Sequence, residues 1–304
     1  MTLLQRLATL ATVGMFFLLV SGALVTTTGS EDGCGSAWPF CDGDWSSLAT
    51  WIEVNHRVIT GIMGLLILAV SVLAWRQLGH RREIRQLVVA ALILLAVQSW
   101  LGAAAVMWGS SELVMAAHFG VSLASFGSVL LLAVRIHQLQ RGWSPRGGPV
   151  PPRFRPLLWA NLGLLAAVVY VGAYLRHTEI GLACLGWPLC NNMLIPEWGT
   201  PAFTNFVHRA LAGGLVLLSA ATGHLTRPYR EARPDLFWGS LAAVVLVVLQ
   251  ALSGWLVVGT LGSVAANVLH SSFVTLYTGA LLYLLWQTAP EPAASAREAE
   301  VAAV

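Results

Sequence analysis

Residues 53–68 read "EVNHRVITGIMGLLIL", and residues 208–220 read "HRALAGGLVLLSA". In both, a His-Arg doublet opens a long apolar run, and His56 and His208 stand 152 residues apart. The same offset carries "QSWLGAAAVMWG" at 98–109 onto "QALSGWLVVGTL" at 250–261, and His118 onto His270. The cysteine segments "CGSAWPFC" (34–41) and "CLGWPLC" (184–190) repeat too, the second one residue shorter. The chain is a tandem duplication, and its fold must be one unit built twice.

That unit is made for lipid. Of 304 residues, 57% are hydrophobic and only 10% charged, whereas soluble domains carry about a quarter charged residues. A span needs roughly 20 mostly apolar residues, and eight such runs occur, near 8–28, 52–75, 87–107, 113–134, 157–176, 204–226, 237–258 and 264–287. The first resembles a signal peptide, but it is too long for a signal core and has a counterpart at 157–176, so it counts as a helix. The prediction is an all-α polytopic membrane protein of eight transmembrane helices, arranged as two tandem, parallel-repeat four-helix bundles. Residues 1–140 form the N-terminal half, 141–156 a Pro/Gly/Arg-rich cytoplasmic linker, 157–288 the C-terminal half and 289–304 a polar, disordered tail. An even number of spans per half inserts both halves the same way round, unlike an inverted repeat. A net charge of +3 gives no support for a nucleic-acid partner.

Arginines set the orientation. They fill the 76–86, 135–156 and 227–236 segments, while the segment between the first two spans holds Glu31, Asp32, Asp42 and Asp44 and no Lys or Arg. Both termini are therefore expected in the cytoplasm of a plasma or inner membrane, with the cysteine loops outside. On that oxidising side the expected pairings are Cys34–Cys41 and Cys184–Cys190. Four cysteines allow three connectivities, and cross-pairing stays open at this stage.

Eight histidines occur. His80, His137, His177 and His224 lie in loops or at helix ends and read as interfacial. His56, His118, His208 and His270 instead fall inside the even-numbered runs, four to seven residues from their outer ends. Ionisable groups at that depth face a cavity or a partner. Two imidazoles per half, at one depth on parallel helices, suit a cofactor held between facing side chains. A bare metal ion wants a further protein ligand, and no other His, Cys or carboxylate recurs in both halves at that depth. A haem needs only two axial histidines, because the porphyrin supplies the remaining nitrogens. Gly61, Gly64, Gly102, Gly120 and Gly127, with Gly213, Gly214, Gly254 and Gly279, would thin the helices for a flat macrocycle. Arg57 and Arg209 directly follow ligand candidates and suit haem propionates.

The halves differ at one telling position, where Glu53 aligns with Asn205. Glu53 lies three residues before His56 and shares its helix face. A carboxylate there can move a proton or stabilise a developing cation, which points to chemistry in the first half.

These residues resemble the haem A synthase family. "TTGSEDGCGSAWPFC", "RHTEIGLACLGWPLC", "EVNHR", "FVHR" and the four intrahelical histidines carry the resemblance over nearly the whole chain. It implies an oxidoreductase that converts the C8 methyl of haem O to the formyl group of haem A, stepwise through an alcohol, for terminal oxidases. By resemblance, His56 and His118 hold the substrate haem and Glu53 is catalytic. His208 and His270 hold a cofactor haem b. The loop cysteines are linked to redox or maturation roles, and haem O synthase and an unidentified electron acceptor are expected as transient partners. Two alternatives stand beside it: a di-haem b electron-transfer protein that leaves its haems unmodified, and a haem transporter or chaperone.

Overall fold

A computed structural model describes residues 1–109, 111–142, 148–187 and 189–290. It contains helices α1 (Leu3–Thr27), α2 (Leu48–Leu78), α3 (Arg82–Trp108), α4 (Glu112–Gln140), α5 (Phe154–His177), α6 (Pro201–His224), α7 (Pro234–Gly259) and α8 (Val264–Gln287). All eight are long and apolar enough to cross a bilayer. Among the described residues there is no strand, only an isolated bridge between Cys190 and Met193.

The helices extend beyond the apolar runs because their ends are capped by polar residues that hydropathy overlooks. Thr2 forms a capping box with Gln5 at α1. Ser111, Thr200 and Ser263 accept backbone N–H groups at α4, α6 and α8. As a result, His56, His118, His208 and His270 lie seven to nine residues into their helices rather than four to seven. The α7–α8 turn passes through Leu261 and Gly262, both at positive φ, before Ser263 starts α8.

One expected boundary shifts. The helix α5 begins at Phe154, so Pro156 falls in its first turn, where no intrahelical N–H is needed. Residues 143–147 of the expected linker and 291–304 of the expected tail lie outside the described residues.

Packing follows the repeat. The helix pairs α1–α2, α2–α3, α3–α4 and α1–α4 close one four-helix bundle, and α5–α6, α6–α7, α7–α8 and α5–α8 close the other. The bundles join through α4–α8, α1–α8 and α4–α5. The central pair α4 and α8 supplies much of the core, including Leu132, Ile136, Tyr277, Leu281 and Leu284. Large apolar side chains such as Phe17, Ile62, Leu65, Ile93, Leu217 and Leu252 project outward from the peripheral helices, as lipid-facing surfaces require. Small residues seat the central crossing. A Cβ at Gly127 would collide with Leu282, and one at Gly279 would stand 3.0 Å from Leu130 Cδ2.

Polar groups lock the end opposite the cysteine loops. Arg135, counted in the sequence as a loop charge, lies inside α4, 3% exposed, and pairs with Glu83 of α3 at 2.7 Å. In the second half Arg233 pairs with Asp235 at 2.8 Å. Buried Asn161 of α5 accepts from Ser219 of α6 and Tyr277 of α8 and donates to Thr222.

Candidate functional site

The four intrahelical histidines come together as two pairs. His56 of α2 and His118 of α4 lie close enough to interact electrostatically, and so do His208 of α6 and His270 of α8. Each pair sits inside its own bundle near the cysteine-loop end. Among the described residues, no group of three or more His, Cys, Asp or Glu could hold a metal ion.

Every one of these imidazoles rests on a glycine of an odd-numbered helix. A Cβ at Gly22 of α1 would stand 3.2 Å from His56 Cε1, and one at Gly102 of α3 would stand 3.2 Å from His118 Cε1. The second half repeats this with Gly172 of α5 at 2.8 Å from His208 and Gly254 of α7 at 3.1 Å from His270. Only glycine lets the ring lie so close to the neighbouring backbone. Gly102 and Gly254 were legible in the repeat. Gly22 and Gly172 were missed, because their offset is 150 rather than 152; the shared "GA" at 22–23 and 172–173 was the available signal. The other glycines divide. No neighbouring atom approaches a Cβ position at Gly61, Gly64 or Gly213, whereas Gly120 meets Tyr170. Gly120, Gly127 and Gly279 therefore serve packing rather than an open cavity.

The remaining ring nitrogens are treated differently in the two halves. His56 Nδ1 lies 2.8 Å from Ser21 Oγ, and His270 Nδ1 lies 2.9 Å from Ser253 Oγ. The Gln250 amide also lies 3.0 Å from His270 Nε2. His118 Nδ1 and His208 Nδ1 are buried with no hydrogen-bond partner. The paired imidazoles, their glycine seats, the unpartnered Nδ1 of His118 and of His208, and the lack of a third ligand among the described residues fit a haem, which His56 with His118 and His208 with His270 would hold. The serines on Nδ1 would fix the orientation of the His56 and His270 rings as ligands.

Above each pair, the cysteine loop is tied to the helix that carries the first histidine. Disulfides join Cys34 to Cys41 and Cys184 to Cys190. Glu53, 3% exposed, accepts the Cys34 N–H at 2.8 Å and the Arg57 Nε–H at 3.0 Å. Arg57 also donates to Ala37 O at 2.7 Å and to Phe40 O. In the second half Asn205 donates to Ile180 O at 2.7 Å, and Arg209 donates to Gly186 O at 2.8 Å and to Cys184 O. Both arginines thus point up into the disulfide loops, a use the sequence pattern did not separate from propionate binding. No signal in the sequence pattern told the two uses apart.

The family model for COX15-CtaA, cytochrome oxidase assembly protein, matches residues 5–205, and heme A synthase of Geobacillus thermodenitrificans is 38% identical over 93% of this chain and 90% of its own length. The chain belongs to the COX15-CtaA family. Other relatives agree: heme A synthase of Bacillus licheniformis is 38% identical over 93% of this chain and 95% of its own length. That of Staphylococcus haemolyticus is 35% identical over 93% and 94%. The COX15-CtaA match ends at Asn205, short of His208, so it covers the first histidine pair; the full-length relatives extend over both.

Proposed function

We propose that this chain is a haem A synthase, a membrane oxidoreductase that oxidises the C8 methyl of haem O to a formyl group through an alcohol, yielding haem A for terminal oxidases. The observation that carries this reading is the pair of glycine-seated histidines in each half of a chain similar to heme A synthases over nearly its whole length. Nothing in the fold favours a di-haem carrier that leaves its haems unaltered.

The roles divide along the repeat. His56 and His118 hold the substrate haem O in the N-terminal half (1–140), with its farnesyl tail toward lipid. His208 and His270 hold haem b in the C-terminal half (157–288), where it would supply one-electron redox chemistry. Glu53 takes up a proton or offsets positive charge developing at the methyl carbon. Its carboxylate is aimed by Arg57 and the Cys34 N–H, so it does not depend on a mobile side chain to reach position. Arg57 and Arg209 brace the disulfide loops over the two mouths, and those loops keep bulk water from the histidines. An N–H not used by the loop remains available to a propionate. The arginine distribution supports cytoplasmic termini and external cysteine loops. Haem O synthase and an electron acceptor complete the scheme as transient partners.

The test is haem extraction with chromatography and mass analysis after co-expression with a haem O source, comparing wild type with His208→Ala. Haem A in wild type, with haem b missing and haem O unconverted in His208→Ala, is the expected result. Wild type holding haem b alone, with supplied haem O never altered, would overturn the reading.

A further inference from the structure

At the end opposite the cysteine loops, α1, α4 and α8 enclose an open groove of about 320 Å³. Its walls are largely apolar, with Val13, Leu130 and Val134 toward the membrane, and Arg141 at its rim. No carboxylate lines it, and Arg141 is exposed and forms no ion pair among the described residues. The start of α1 closes the same rim, because Thr2 Oγ1 is hydrogen-bonded to Gln140 at the end of α4. A buried acceptor also lies within the groove. Gln138 is 5% exposed, and its Oε1 has no hydrogen-bond partner.

The duplication shows that this groove is particular to one side. Applying the 152-residue offset of α4 to α8, Leu130, Val134 and Arg141 correspond to Leu282, Trp286 and Ala293. Applying the 150-residue offset of α1 to α5, Thr9 corresponds to Trp159. The second half therefore carries two indoles and no rim cation where the first half carries small side chains and a guanidinium. Neutral apolar walls alone would take any acyl chain. A cation at the rim above an apolar wall, with no carboxylate among the described residues that line it, selects a lipid with a negatively charged headgroup.

We propose that the α1–α4–α8 groove is a binding site for one anionic phospholipid, its phosphate on Arg141 and its acyl chain against Val13, Leu130 and Val134.

The experiment is native mass spectrometry of the delipidated full chain in detergent, titrated with phosphatidylglycerol or phosphatidylcholine. One phosphatidylglycerol should bind, and phosphatidylcholine several-fold more weakly. Arg141→Gln should weaken phosphatidylglycerol by roughly fivefold, the contribution expected of one cation at an anionic headgroup. The double variant Thr9→Trp, Val134→Trp, which copies the second half, should exclude the lipid, and Arg141→Gln remains informative if that variant folds poorly. Inorganic phosphate should not compete. Equal binding of the two lipids, binding unchanged in Arg141→Gln, or displacement by inorganic phosphate would each overturn the proposal.

Discussion

The carboxylate of Glu53 accepts the backbone N–H of Cys34 at 2.8 Å, while Asn205, its partner in the duplication, donates to the carbonyl of Ile180 at 2.7 Å. One position thus anchors the same loop in both halves with opposite hydrogen-bond polarity. A carboxylate can only accept, so the first loop must offer an N–H; an amide can donate, so the second offers a carbonyl. The exchange of Glu for Asn is compensated locally, which leaves Glu53 free to differ for a chemical reason.

Replacing Glu53 separates those two uses. Glu53→Ala leaves the Cys34 N–H buried and Arg57 without its counter-charge, and should destabilise the protein by about 1–3 kcal/mol. Glu53→Gln retains an acceptor and should recover most of that stability. Both should accumulate haem O or its alcohol instead of haem A. Thermal unfolding in detergent together with haem extraction checks this, and full haem A production by Glu53→Gln would remove Glu53 from the chemistry.

The glycine seats predict site-selective haem loss. Gly172→Ala places a methyl 2.8 Å from His208 Cε1, tighter than the 3.2 Å at Gly22 or Gly102. A ring that held a haem iron could not turn aside from the added methyl. Gly172→Ala and Gly254→Ala should therefore lower bound haem b while leaving haem O binding intact, and Gly22→Ala and Gly102→Ala should do the reverse. The haem-to-protein ratio, resolved by haem type, measures it.

Arg209 reaches the carbonyls of Gly186 and Cys184 with two separate nitrogens. A lysine offers a single point of contact and cannot span both. Arg209→Lys should cost about 1 kcal/mol and speed hydrogen exchange in residues 178–200, with the α7–α8 turn unaffected. Unchanged exchange in that loop would show that the disulfide alone holds it.

The Glu83–Arg135 pair, 2.7 Å apart and buried between α3 and α4, should obey the rule for buried ion pairs. Removing one partner strands a charge, so Glu83→Ala should cost about 3–5 kcal/mol, whereas Glu83→Leu combined with Arg135→Met should cost far less. Equilibrium unfolding in mixed micelles of the two variants decides it.

The sequence by itself determined the spans, the duplication and the four histidines, because lipid admits only long apolar helices and makes each intrahelical imidazole conspicuous. It also marked Glu53 and the cysteine segments, since a repeat exposes the positions where its copies agree and differ. Hydropathy is blind to which helix faces which, because lipid is as apolar as leucine and exerts no pull between helices. Only the tertiary structure decided that α4 and α8 cross at the centre over Gly127 and Gly279, and that Gly22 and Gly172 seat His56 and His208. It also decided that Arg57 and Arg209 turn up into the disulfide loops. Each of these is a contact between distant segments, set by close packing of small residues and by unpaired backbone groups that only the folded chain brings within reach.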